Sequence, residues 1–445
     1  VVLSCRLSIV SSKPEVANIS PRACVIGAGY SGLGTAKYLK EYNVDFTVFE
    51  ASKYLGGVWH FDPRVGVDEG GIPIFAKMYT NLRINTPKEF MEYHDFPFPK
   101  ETVSFPSSEC MFKYLTAMAN KFELLDHIQF GRLVTSVKRA KNYWDLTYYR
   151  GDTKEKVTER CDFVVVASGE YNEPVWPKIP GQDIFEGTKI HSSDYRDHEP
   201  YRNRRVLVVG AGSSGLDLGV FLSNVTSKLV HSHHLVYNQP VLPDTYIKKP
   251  DIMTFTPKGV IFNDGSFEEV DDVIFCTGYN YAFPYLDESS GVTATGKFIL
   301  PLYRQIVNIK HPSMLFVGMA KKVINKVLDA QGNYAASLIA GRFKLPSQDD
   351  MLKGWLNEVH EAQAKGLKIA NVNDVGEDMD HYFGNLTQEA NIPRVPPVFT
   401  TMRDFNAVSR LNDFLHFRDY SWNIIDDNNY ERNLNTPKEL TCPIF

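Results

Sequence analysis

Residues 23–52 read ACVIGAGYSGLGTAKYLKEYNVDFTVFEAS. The stretch runs from a short apolar strand through a tight glycine turn into a helical pattern and out into a second strand, the order of a nucleotide-binding βαβ unit. Each glycine has its own task. Gly27 makes the turn, Gly29 lets the backbone approach a pyrophosphate, and Gly32 allows the helix to pack closely. The amides that open the helix then face the phosphates. Glu50 ends the second strand 23 residues after Gly27, where its carboxylate can accept hydrogen bonds from ribose hydroxyls. Glycines in this frame, with an acid at this distance, predict a bound dinucleotide.

Residues 204–234, RRVLVVGAGSSGLDLGVFLSNVTSKLVHSHH, repeat the unit around Gly210, Gly212, Ser214 and Gly215. Here the second strand ends in His231, Ser232, His233 and His234, with no carboxylate. An acid at that point would repel a ribose 2′-phosphate, whereas hydroxyl and imidazole groups donate to one, so Ser232, His233 and His234 predict NADP over NAD. The preference is modest, because arginine is the better phosphate partner. A surface histidine cluster without a ligand is the alternative. Arg202, Arg204 and Arg205 either supply the missing charge or are solvated at the entry to the strand.

Two such turns in one chain imply that one nucleotide domain is inserted into another. The apolar strands in VVVASGEYNEPVWP (164–177) and VIFCTGYNYAFPYL (273–286) each end in a small residue and a glycine, Ser168 with Gly169 and Thr277 with Gly278. They are read as crossings between the domains. The fold expected is α/β, with two Rossmann-like dinucleotide-binding domains, the second inserted in the first. Residues 1–19 form a tail or leader remnant, 20–170 the first part of the outer domain, 171–278 the inserted domain, and 279–445 the second part of the outer domain with C-terminal helices.

Composition narrows the class. At 445 residues the chain is too long for one small domain, and 43% hydrophobic with 23% charged residues is ordinary for a globular protein. A net charge of −5 gives no electrostatic case for a nucleic-acid partner. The apolar runs fall far short of the roughly 18 residues of a membrane helix, and the C-terminus carries no anchor, so no membrane partner is expected. Cysteines at 5, 24, 110, 161, 276 and 442 form no CxxC pair and no metal-like cluster. Cys24, Cys161 and Cys276 lie in apolar strands and are read as small buried thiols. The opening VVLSCRLSIVSSKPE is apolar, small and basic, the end of a secretory leader or a frayed tail. Glycosylation sequons at Asn224 and Asn385, and a weaker one at Asn18, lean towards secretion.

The stretch FEGTKIHSSDYR (185–196) fits neither helical nor strand periodicity. Through Phe185, Gly187, His191, Tyr195 and Arg196 it resembles the FxGxxxHxxx(Y/F)(K/R) signature of the flavin-containing monooxygenases. Related Baeyer–Villiger enzymes carry tryptophan and then proline or aspartate at the last two positions, so Tyr195 and Arg196 point to heteroatom oxygenation. YLGGVW (54–59), with Gly56, Gly57 and Trp59, resembles the family's flavin-contacting loop. TPKEFMEYHDFPFP (86–99), LYRQIVNIKHPSMLFVGM (302–319) and LPSQDDM (345–351) resemble further family segments. In YTNLRINTPKE (79–89) the family pattern YxxLxTNxPKE puts the active-site asparagine at Asn85, preceded by Ile84 where threonine is usual. On residue type alone, Asn85 is a turn-former before Thr86 and Pro87, and His191 a structural histidine. Gln331 stands in the family's glutamine position, and the differing stretch 321–330 before it is read as a loop shaping substrate entry.

The resemblance implies FAD held by Gly27, Gly29, Gly32, Glu50, Gly57, Trp59 and Gln331, and NADPH held by the second turn, with His234 aligned to the family's phosphate-binding arginine. It implies O2 and a small-molecule amine as substrates, joined through a flavin hydroperoxide, with Asn85 as the catalytic amide and no metal. The insect branch that N-oxygenates pyrrolizidine alkaloids such as senecionine is the nearest resemblance. That branch is secreted, and a cytoplasmic location is the alternative. An uncoupled NADPH oxidase and a secreted nucleotide- or alkaloid-binding protein without turnover stay open, as does a homo-oligomer.

Overall fold

The computed structural model describes residues 21–445 except 297, 369–371, 373, 436–439, 441 and 444–445. The leader-like tail, with Cys5 and Asn18, lies outside the described residues.

Strand Arg22–Ile26 sits inside a seven-stranded sheet, between Phe163–Val166 and Asp45–Phe49 and parallel to both. Ile128–Gln129 extends one side, while Met314–Phe316 continues the other in parallel before two short antiparallel strands, Val307–Asn308 and Leu302–Tyr303. Successive side chains of a strand point to opposite faces, and this divides the core in two. Ala23, Val25 and Val165 pack with helices Tyr30–Glu41 and Asn325–Ile339. Cys24, Ile26, Val164 and Val166 pack around Trp144 of an antiparallel meander, Arg132–Arg139, Trp144–Arg150 and Lys156–Cys161. Burial on both faces is why these strands read as unbroken apolar runs.

The second sheet is parallel throughout and takes its strands from the middle of the chain, in the order Tyr246–Lys249, Lys228–Ser232, Arg205–Val209, Asp272–Phe275 and Thr188–His191. The chain passes between the sheets twice, and the two passages pair with each other, Glu173–Pro174 antiparallel to Tyr279–Asn280. Helices Gln348–Ala364, Met379–Ala390 and Val398–Asn412 follow, and a hairpin, Tyr420–Ile424 with Tyr430–Leu434, packs back over Ser104. No helix among the described residues is long and apolar enough to cross a membrane.

The cysteine reading needs correction. Cys24 is bonded to Cys161 and Cys110 to Cys442, leaving Cys276 as the buried free thiol among the described residues. Cys24 faces the meander, and the meander's last strand ends at Cys161. The sheet therefore brings together two residues 137 positions apart that no local spacing could pair. Alkylation under denaturing conditions without reductant is expected to label Cys276 but none of the four bonded cysteines. Exchanging Cys110 and Cys442 together for serine is expected to lower the unfolding free energy by about 2–4 kcal/mol, measured by denaturant titration.

Candidate active site

At the first glycine turn, a Cβ on Gly32 would lie 1.8 Å from the Gly27 carbonyl oxygen, so helix Tyr30–Glu41 can start this close to its strand only with glycine there. The loop 55–59 docks on the turn through the Gly56 amide, which donates to the Ala28 carbonyl at 2.9 Å. Gly29 and Gly57 face each other so closely that a Cβ on Gly57 would sit 3.0 Å from the Gly29 Cα. Side chains there would fill the slot that a pyrophosphate needs. The helix has no side-chain cap and no acid in its first turn, so its opening amides suit an anion. Glu50 is buried, accepting from the Ala28 amide at 2.7 Å and the Ser52 amide at 2.8 Å. Burial pushes its pKa up, and the two amide bonds oppose that. Its carboxylate is thereby fixed beside the turn, where ribose hydroxyls would lie. Trp59 is half-buried against the first core.

Gln331 lies behind this cradle rather than in it. It is fully buried; its Oε1 accepts from the Gly318 amide at 2.9 Å and its Nε2 donates to the Tyr382 hydroxyl at 2.7 Å. Gly318 in turn abuts Ser31, at the start of the helix. Gln331 therefore sets the edge of the cradle through Gly318 and does not present its own amide to a cofactor. The stretch 321–330 is loop only as far as Ile324; from Asn325 it is helix, with Val327 buried in the core and Lys326, Asp329 and Ala330 lining a cavity beside Tyr38 and Phe399.

The second turn repeats the first: a Cβ on Gly215 would meet the Gly210 carbonyl at 1.9 Å, and the first turn of helix Ser213–Ser223 again has no acid. Gly212 is exposed with open space before it, and Ser214 is half-buried beside it. The three residues expected at a 2′-phosphate separate. Ser232 points inward, its hydroxyl donating to the Pro250 carbonyl at 2.8 Å, and His233 is buried, its pKa held down at about 4 by burial. His234 alone of the three is exposed, with Nδ1 3.2 Å from the Asp251 carboxylate. Arg202, Arg204 and Arg205 are committed to Glu199, Asp272 and Asp271 at the other end of the strand. A cation that sequence reasoning missed comes from the neighbouring strand. Lys248 pairs in register with His231, and its exposed ammonium reaches the Leu235 carbonyl at 3.2 Å, just past His234.

The signature 185–196 is a staple between the two units. Phe185 packs on Phe255, and Gly187 leaves room for the Asp271 carbonyl, which seats strand Thr188–His191 on the second sheet. His191 is fully buried; burial holds its pKa down at about 4, and its Nδ1 accepts from the Ser193 amide at 3.1 Å. Tyr195 packs edge-on against Tyr79 at 5.5 Å. Arg196 donates to the carbonyls of Ser193 and Tyr195 on its own turn and of Asp62 and Ala76 from the first unit, at 2.7–3.1 Å. Asn85 lies close by, half-buried, its carbonyl accepting from Asn406 at 3.1 Å and its side-chain oxygen from Arg418.

A family model of flavin-binding monooxygenase-like proteins matches residues 20–238 and 236–404. The chain belongs to the flavin-binding monooxygenases. It is 46% identical over 441 residues to senecionine N-oxygenase of Tyria jacobaeae, covering 98% of this chain and 96% of that one. It is 30% identical to flavin-containing monooxygenase FMO GS-OX-like 9 of Arabidopsis thaliana, over 80% of this chain and 84% of the relative. Among solved structures, S-allyl-L-cysteine S-oxygenase from Allium sativum superposes with a TM-score of 0.83 at 25% identity, over 90% of this chain and 95% of that one. As a flavin-binding monooxygenase the chain is an NADPH-dependent flavoenzyme, and the two turns divide the work. The first, with its slot and buried Glu50, fits FAD. The second, with an open Gly212 and with Lys248 and His234 at its strand end, fits NADPH. Residues missed in the sequence are Arg418, which bonds Asn85 directly, Asp217, which pairs with that guanidinium, and Tyr79, whose hydroxyl donates to Asp217. Their one local signal is a buried aspartate on an otherwise apolar helix.

Gly212→Val is expected to fold and keep FAD, since its Cβ meets nothing, but to lose NADPH binding by filling phosphate space; cofactor content and NADPH-dependent bleaching of the flavin measure both. Lys248→Met is expected to raise the KM for NADPH about tenfold and leave that for NADH nearly unchanged. His234→Arg is expected to lower the KM for NADPH much more than that for NADH. Three buried imidazoles, His191, His231 and His233, fall from 6.5 to about 4, chiefly through burial. Between those values the unfolded chain binds more protons, so stability falls as pH drops from 6.5 towards 4. His233→Gln is expected to remove about one proton from that slope in unfolding titrations.

Proposed function

We propose that this flavin monooxygenase uses NADPH and O2 to N-oxygenate a tertiary amine, a pyrrolizidine alkaloid such as senecionine, as a secreted detoxifying enzyme. The observation that carries the substrate class is the 46% identity, along nearly the full length of both chains, to a senecionine N-oxygenase. FAD, when bound, supplies the activation of oxygen with electrons from NADPH. The protein's part is to place the two cofactors against each other, keep water from the reacting atoms and offer a donor that carries no charge. Asn85 suits that last task, because an amide N–H hydrogen-bonds a developing negative oxygen without protonating it. A tertiary amine brings its own nucleophilic lone pair, so no general base or metal is required of the chain.

Secretion is supported by the two disulfides, which persist in oxidising compartments. A glycan is proposed at Asn224, which is exposed where helix Ser213–Ser223 ends. Asn385 lies half-buried within helix Met379–Ala390 and is the poorer acceptor.

The test is incubation of the FAD-loaded protein with NADPH and senecionine, with mass spectrometry for the N-oxide. N-oxide in proportion to NADPH consumed supports the reading, and NADPH consumption that yields only hydrogen peroxide contradicts it. Asn85→Ala is expected to retain FAD and still oxidise NADPH, but to lower the yield of N-oxide per NADPH by about 10²-fold, the scale of losing one oxyanion-type donor. Coupled turnover in that variant at the wild-type level would remove Asn85 from the chemistry.

A further inference from the structure

Arg418 comes from the C-terminal segment that the sequence left without a role, and its side chain is only 12% exposed. One terminal nitrogen donates to the Asn85 side-chain oxygen and to both Asp217 carboxylate oxygens, at 2.9 and 3.1 Å for the latter. Its Nε donates to the Ile84 carbonyl at 3.1 Å, and its own carbonyl accepts from Arg83 at 2.8 Å. The guanidinium stacks over the Phe417 ring at 4.5 Å. Asp217 is buried on helix Ser213–Ser223, the helix that opens at the second nucleotide turn, and also accepts from the Tyr79 hydroxyl at 3.2 Å.

We propose that Arg418 is the positioning residue that orients the Asn85 amide for catalysis and ties it to the NADPH-binding helix through Asp217. A guanidinium has donors and no acceptor, so only the oxygen of the Asn85 amide can face it. The amide nitrogen is thereby turned to the opposite side, and it donates to none of the described residues. Without Arg418 the two ends of the amide are free to exchange, and half the orientations offer an acceptor where a donor is needed. Asp217 pairs with the buried guanidinium and carries the position of the second turn to Asn85. The bond from the Arg418 Nε to the Ile84 carbonyl secures the residue that stands where the family has threonine.

The inference rests on Asn85 acting as the donor, so one readout must need no amine. FAD-loaded wild type, Arg418→Met, Arg418→Lys, Arg418→Met with Asp217→Asn, Asn85→Ala, and Arg418→Met with Asn85→Ala are compared. The measurements are FAD content, the change in the flavin visible spectrum on titration with NADP+, and, with senecionine present, hydrogen peroxide formed per NADPH. Arg418→Met is expected to keep FAD, weaken NADP+ about tenfold and raise the peroxide ratio to that of Asn85→Ala. The combination with Asn85→Ala is expected to be no worse than Asn85→Ala alone, because Arg418 acts through that amide. Adding Asp217→Asn removes the stranded carboxylate and is expected to restore thermal stability without restoring coupling. Arg418→Lys, which keeps one donor, is expected to fall between wild type and Arg418→Met. Wild-type coupling and NADP+ affinity in both Arg418→Lys and Arg418→Met would overturn the proposal. So would multiplicative effects of Arg418→Met and Asn85→Ala, or recovery of coupling once Asp217→Asn restores stability. If the NADP+ results hold while no amine is oxygenated by wild type, the substrate reading fails and this one stands.

Discussion

Everything in this enzyme depends on holding two nucleotide turns, 183 residues apart from Gly27 to Gly210, in a fixed relation across a junction. The side chain that does most of this is Arg196. Its guanidinium binds carbonyl oxygens of its own turn and of the first unit's loops, and donor-rich planar geometry makes arginine the side chain suited to join several backbone segments at once. Its backbone carbonyl adds a further tie, accepting from the Thr80 amide at 2.9 Å. Tyr79 and Asn85 lie in the same segment as Thr80, so the staple is tied to the run of chain that carries Asn85.

The sequence made the glycine turns legible because each is forced by a contact with its own neighbourhood. Gly32 must leave room for the Gly27 carbonyl five residues earlier, and Gly215 for Gly210 in the same way. Glu50 was likewise readable, since a strand of fixed length carries it back to the turn. The three residues expected at the 2′-phosphate part company, because a strand end says which residues arrive there, not which way they face. Ser232 found the Pro250 carbonyl and His233 a buried position, while the neighbouring strand brings Lys248 to the same end. Gln331 was expected to hold FAD, and its side-chain amide is bonded instead to the Gly318 amide and the Tyr382 hydroxyl.

Long-range partners were invisible for the same physical reason. Arg418 and Asp217 are 201 residues apart and Cys24 and Cys161 are 137 apart, and only the completed sheets bring them together. The C-terminal segment now has a purpose: it carries Arg418 into the junction and runs on to Cys442, which is bonded to helix Ser108–Lys121. The Asn85 side chain is thus bonded to an arginine whose own stretch of chain is anchored at its far end by a covalent bond.

The most direct test of the account is the fate of oxygen during turnover with a tertiary-amine alkaloid, using heavy-isotope dioxygen in ordinary water. The account predicts one labelled atom in each N-oxide, the other in water, and one NADPH consumed per product. Unlabelled N-oxide, or label recovered only in hydrogen peroxide while the amine is unchanged, would contradict it.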